Sequence, residues 1–118
     1  MNSEEMMKRT TIFAHNCVKL ALSLPKNTLG QHVSKQLIRS STSVAANYRS
    51  VCLSQSKASF IAKISIVLEE ADESAFWMEF IQEEKLLSDS SISSLIKEAS
   101  ELTAIFCSSR ITAKTNYR

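Results

Sequence analysis

The chain has 118 residues, one Gly, one Pro and a formal charge of +2 at pH 7, enough for one core and too short for two. So little turn chemistry excludes an all-β fold, which needs a turn signal roughly every 8–12 residues. Cys17, Cys52 and Cys107 are odd in number and widely spaced, giving neither a disulfide framework nor a zinc ribbon, and read as small apolar residues in a reducing compartment.

Ser3 followed by Glu4 and Glu5 reads as an N-cap with acids in the first turn. Met6, Phe13, Cys17, Leu20 and Leu24 then recur at helical spacing until Pro25 stops the run, which predicts a first helix over about 4–24. Gly30 marks the connection. Val33, Leu37, Ser41, Val44, Tyr48 and Val51 form the stripe of a second helix over about 31–53. A third, over about 57–87, keeps Phe60, Ile64, Val67, Ala71, Ala75 and Met78 on one face. The Ser/Asp cluster at 88–91 is a loop, and Ile92, Leu95, Ala99, Leu102 and Phe106 carry a fourth helix over about 91–111, with 112–118 a frayed tail. Connections this short predict an all-α fold over a single domain, 1–118: an up-down-up-down antiparallel four-helix bundle with a left-handed twist.

Charge is divided along the chain. Residues 1–68 hold nine Lys or Arg against Glu4 and Glu5, while residues 69–118 hold five against ten acids. Packing the halves side by side cancels much of this within the bundle, a reading that outweighs a nucleic-acid stripe. The first residues, MNSEEMMKR, carry two glutamates and no apolar stretch of signal-peptide length. No segment approaches the ~18 uninterrupted apolar residues of a membrane span, so a soluble cytoplasmic protein is expected.

The third helix has more apolar surface than one core needs. At 100° per residue Ile66, Phe76, Trp77 and Phe80 fall opposite the core stripe. A contiguous group with three aromatics marks a contact surface. The back of the second helix, with Thr42, Ser43, Ala46 and Ser50, offers a low-relief complement in a symmetric oligomer. Arg39, at one end of that face, falls level with Glu69, Glu70 and Glu73 and is expected to pair with them within or between subunits. The expected oligomer interface is thus Arg39, Ser43, Ala46, Ile66, Glu69, Glu73, Phe76, Trp77 and Phe80.

Catalytic constellations are missing from the sequence. There is no Glu-x-x-His for a di-metal bundle site, His15 and His32 are isolated, and no G-x-S-x-G elbow or phosphate loop occurs. Neither an enzyme nor a metal, cofactor or small-molecule substrate is expected. Asn47, on the flank of the core stripe, reads as an interhelical hydrogen-bond donor that fixes register.

RSSTSVAANYR at 39–49, Ser56 and Lys57 leading to Phe60 and Lys63, and LEEADESAFWMEFI at 68–81 resemble the bacterial four-helix-bundle family named for proteins encoded in intervening sequences of 23S ribosomal RNA genes. The resemblance is best over residues 8–87. It implies a ring-shaped homo-oligomer, pentameric in known members, and assigns no biochemical activity, because the family name records gene location. The accessory proteins of diversity-generating retroelements are similar in fold, and that similarity implies binding to a reverse transcriptase and nucleic acid through a basic surface. The chain departs from them in its low net charge. Lys8, Arg9, Lys19, Lys26 and Lys35 are the residues that could form a basic face once copies are arranged around an axis.

Two functions therefore compete: a noncatalytic oligomeric scaffold that binds RNA, DNA or a nucleic-acid-handling protein, and a protein-interaction module without nucleic-acid contact.

Overall fold

A computed structural model describes residues 2–116 as four α-helices: α1 (Ser3–Leu22), α2 (Thr28–Val51), α3 (Lys57–Glu83) and α4 (Ser91–Thr115). Several boundaries have a local cause. The cap of α1 is Asn2 rather than Ser3: its side chain accepts the Glu5 N–H at 2.8 Å, and the Glu5 carboxylate accepts the Asn2 N–H at 3.4 Å. This reciprocal box satisfies two donors that a helix start leaves free. The helix ends at Leu22, earlier than position 24, because Pro25 disfavours helical backbone in the residue before it. Leu24 still reaches the core from outside the helix.

Gly30 does not sit in the connection. Asn27 caps α2 by accepting the Gly30 N–H at 2.8 Å, which places the glycine in the first turn. There the chain passes so close to itself that a Cβ on Gly30 would lie 1.9 Å from the Pro25 carbonyl oxygen. The glycine serves close approach and not a turn. At the far end of α3, Lys85 has φ 54°, its N–H bonds the Gln82 carbonyl, and the Leu86 N–H reaches back to the Ile81 carbonyl. This is a Schellman closure with lysine where glycine is usual, and it ends α3 at Glu83 instead of 87. By contrast α4 runs past 111 to Thr115, with Lys114 in the last turn, where the helix dipole favours a cation. The helix thus includes much of the expected frayed tail; positions 117 and 118 lie outside the described residues.

Consecutive helices pack on one another, and α1 meets α4 along a thinner seam. The side-chain pairs Arg39–Glu73 and Ser43–Glu70, and the bond from the Lys63 ammonium to the Ser50 carbonyl, run in opposite senses along α2 and α3. Gln82–Ser93 and Ser65–Arg110 do the same for α3 and α4. The helices enclose one core in a body of 51 × 21 × 19 Å, centred on Phe13, Val33, Leu37, Ile64, Met78 and Phe106.

The expected stripes hold with one correction. Trp77 and Phe80 are half-buried and pack against the core instead of facing away from it. Because α3 touches both α2 and α4, its buried arc is wider than a single stripe, and Trp77 lies on the α2 flank, edge-on to His32 at 5.6 Å.

Candidate functional site

The α2–α3 seam carries the densest side-chain network. From α2, one Arg39 nitrogen donates to both Glu70 oxygens at 3.2 Å, another bonds Glu73, and Nε reaches Gln36 at 3.2 Å. The Ser43 hydroxyl donates to Glu70 Oε2 at 3.0 Å, and the Trp77 indole N–H donates to Glu73 Oε2 at 2.9 Å. Arg39 therefore pairs within the chain, with Glu70 and Glu73, while Glu69 stays exposed outside the cluster. Partial burial would raise the Glu73 carboxyl, but the bonds from Trp77 and Arg39 win and hold it below its ordinary value. The Glu73 bond, with help from Glu70, pushes Arg39 up against a small burial cost.

Beneath this network lies a pair the sequence did not reveal. Ser40 and Ser74 are fully buried and their hydroxyls meet at 2.9 Å, with Ser74 also donating toward the Glu70 carbonyl. Small hydroxyl residues at facing positions let the two helices approach closely while keeping buried oxygens satisfied. The only signal was the small-residue content of the 39–49 run. Asn47 corrects an expectation: its amide donates to the Ser43 carbonyl and hydroxyl at 2.9 and 2.7 Å, within α2 rather than across helices.

The outer side of α3 is different. Phe76 is 51% exposed and Ile66 42%, and the Phe76 ring meets Trp77 edge-to-face at 4.9 Å and lies tilted against Phe80 at 6.0 Å. Half-buried Trp77 and Phe80 thus form the floor of an aromatic patch whose top is Phe76. On α2, Ala46 is exposed beside Thr42.

The five candidate cations do not form one face. Lys26 and Lys35 share a cleft of about 260 Å³ at the α1–α2 corner with Ala21, Leu24 and Gly30. Lys19 lines another, toward α4, that contains Asp89. Lys8 is exposed on α1. Arg9 is engaged: its guanidinium bonds Glu98 at 2.7 and 2.8 Å and Glu101 at 2.9 Å, and these bonds raise its pKa despite partial burial. Like Arg39 with its glutamates, it joins the basic half of the chain to the acidic half. Glu98 and Glu101, one turn apart on α4, were readable as an acidic pair but not as partners of Arg9.

Other titratable groups are structural in their setting. Burial pushes the Cys17 thiol up to about 12, against a bond with Ser41, and burial with the nearby Cys52 pushes Tyr48 up to about 12. Such a thiol stays protonated and unreactive at neutral pH. Among the described residues no group of three or more His, Cys, Asp or Glu side chains could hold a metal, and no helix is long and apolar enough to cross a membrane.

A four-helix protein with a self-satisfied polar seam and an uncovered aromatic patch is the class these features define. The chain belongs to the 23S rRNA-intervening sequence protein family, whose model matches residues 3–108. It is also similar to a solved structure from Bacteroides thetaiotaomicron, a protein of unknown function from the S23 ribosomal protein family. The two share 30% identity and a TM-score of 0.82 over 92% of this chain and 96% of that one. No curated protein matches the chain. The family is one of unknown function and indicates no catalytic class.

Proposed function

We propose that the chain is a noncatalytic scaffold that self-associates through the outer side of α3. In this reading the helices form an up-down-up-down antiparallel bundle with a left-handed twist, and copies close into a cytoplasmic ring, pentameric as the family resemblance implies. The observation that carries it is Phe76, half exposed on top of Trp77 and Phe80 with Ile66 on the same side of the helix. A contiguous aromatic and aliphatic patch left in water on a structured helix marks a contact surface. Light scattering of the purified protein is expected to give a mass several times the 13.2 kDa of one chain; a single-chain mass would overturn the proposal.

Assembly also decides what the lysines do. Repeating Lys8, Lys19, Lys26 and Lys35 around an axis would build a basic rim for RNA, DNA or a reverse transcriptase, with Arg9 contributing little because its fork is filled by Glu98 and Glu101. Phosphate contacts weaken steeply with salt. Binding of a generic RNA or DNA at low salt, lost as salt rises, is the expected result. Absence of binding at low salt favours the second reading, a protein-interaction module without nucleic acid, for which the engagement of Arg9 speaks.

A further inference from the structure

Among the described residues six large apolar side chains are exposed, and four of them form two matching pairs. Ile12 and Leu22 on α1 are 61% and 60% exposed; Ile66 and Phe76 on α3 are 42% and 51% exposed. Each pair is ten residues apart, about 15 Å along a helix. Between the α1 pair lie exposed His15 and Lys19, and between the α3 pair lie exposed Glu69 and Asp72. One stripe carries the Lys19 cation between its apolar ends and the other carries two carboxylates. Helix α2 supplies no large exposed apolar residue for the same purpose.

The two stripes are also at the same height in the molecule. Cys17 of α1 meets Ser41 of α2, and Ser40 of α2 meets Ser74 of α3, so position 17 is level with about position 73. By the same offset Ile12 is level with about position 68 and Leu22 with about position 78. Ile66 and Phe76 lie within about two residues of those levels, roughly 3 Å at the helical rise. A neighbouring copy related by rotation about the long axis, without any translation along it, therefore brings Ile12 opposite Ile66 and Leu22 opposite Phe76. It also brings His15 and Lys19 level with Glu69 and Asp72. Lack of axial translation is the condition for a head-to-tail contact to close into a ring rather than run on as a filament. By the same offset Lys8 falls level with about position 64, beside Ala62 and Lys63, and adds no ion pair.

We propose that the occupant of the outer α3 stripe is the outer α1 stripe of a second copy of this chain, the two helices lying parallel in a head-to-tail contact. This rests on the proposal of self-association and replaces the small-residue face of α2 as the complement. The contact also withdraws Lys19 from the surface available to nucleic acid, leaving Lys26 and Lys35 as the accessible cations of that end.

The test is disulfide trapping in a chain carrying Cys52→Ser and Cys107→Ser, which leaves only the buried Cys17 thiol. With Ile12→Cys and Ile66→Cys in the same chain, mild oxidation is expected to give a ladder of covalently joined chains on a denaturing gel, while either substitution alone gives none. Multimeric protein that yields no ladder, or yields one only when Ile66→Cys is combined with Ala46→Cys, overturns the α1–α3 pairing and leaves self-association standing. A single-chain native mass for the unmodified protein overturns both. All the substituted side chains except that of Cys107, which is partly buried, are exposed, and an unchanged melting temperature of each variant separates loss of contact from loss of fold.

Discussion

The two sides of α3 solve the same problem in different ways. Toward α2, every acid that comes near the seam finds a partner in its own chain: Glu70 takes Arg39 and Ser43, and Glu73 takes Arg39 and Trp77. Toward solvent, Glu69 and Asp72 are exposed beside Ile66 and Phe76. A seam whose carboxylates are paired within the chain has no need of another molecule. A surface that mixes exposed aromatics with spare carboxylates does, and the contrast lies within a few residues of one helix.

Substitution costs most on the inner side of α3. Met78 is fully buried two residues from Phe76, and Met78→Ala is expected to cost about 2–5 kcal/mol of stability, from lost transfer energy and the cavity left behind. Chemical denaturation measures it, and a cost below that range would mean that the core beside the seam is loosely packed. Next in size is Ser74→Ala. It removes one hydroxyl of the buried pair but leaves Ser40 near the Leu37 carbonyl at 3.4 Å, so a loss of about 1 kcal/mol is expected.

Smallest is the ion pair. Glu73 titrates below its ordinary value in the folded protein, so its contribution is complete above the unfolded carboxyl pKa and disappears as pH falls through the lower, folded one. Glu73→Gln should therefore lower stability by at most about 1 kcal/mol at neutral pH, since Arg39 is 47% exposed. The difference from the unmodified protein should shrink on acidification. A gap that widens below the carboxylate range would reverse the assigned sign.

Much of this fold was legible in the sequence. Wherever apolar residues recur on a single face, as with Val33, Leu37, Val44 and Val51, periodicity and burial coincide. Periodicity failed where a helix is wrapped on two sides: Trp77 and Phe80 lie away from the Val67–Ala71 direction yet are half-buried, because α2 and α4 both press on α3. Chain ends of helices failed for a second reason. Gly30 reads as a turn residue, but its lack of a Cβ is used for contact with the Pro25 carbonyl five residues earlier, a close approach set by backbone angles that residue spacing does not report. Likewise Lys85 accepts a left-handed backbone that glycine normally takes.

The candidate site was legible in level but not in partner. Counting residues from the α2–α3 connection placed Arg39 beside the acidic cluster, and the rise per residue is regular enough for that to hold over four turns. Which carboxylates it takes depends on helix rotation, and that excluded Glu69. Ile12 and Leu22 carry no signal in the sequence, because singly exposed apolar residues are common, and they acquire meaning only beside the α3 pair at the same spacing and height.

Coverage of the outer side of α3 by another copy of the chain is measured by the native mass of the unmodified protein beside that of Phe76→Ser. At an exposed position this change should alter the stability of the individual fold by less than about 0.5 kcal/mol. The expected result is a multi-chain assembly for the first and a shift toward the 13.2 kDa single chain for the second, with helical content equal in both. An unmodified protein that sediments as one chain, or a Phe76→Ser variant that assembles as well as its parent, would contradict it.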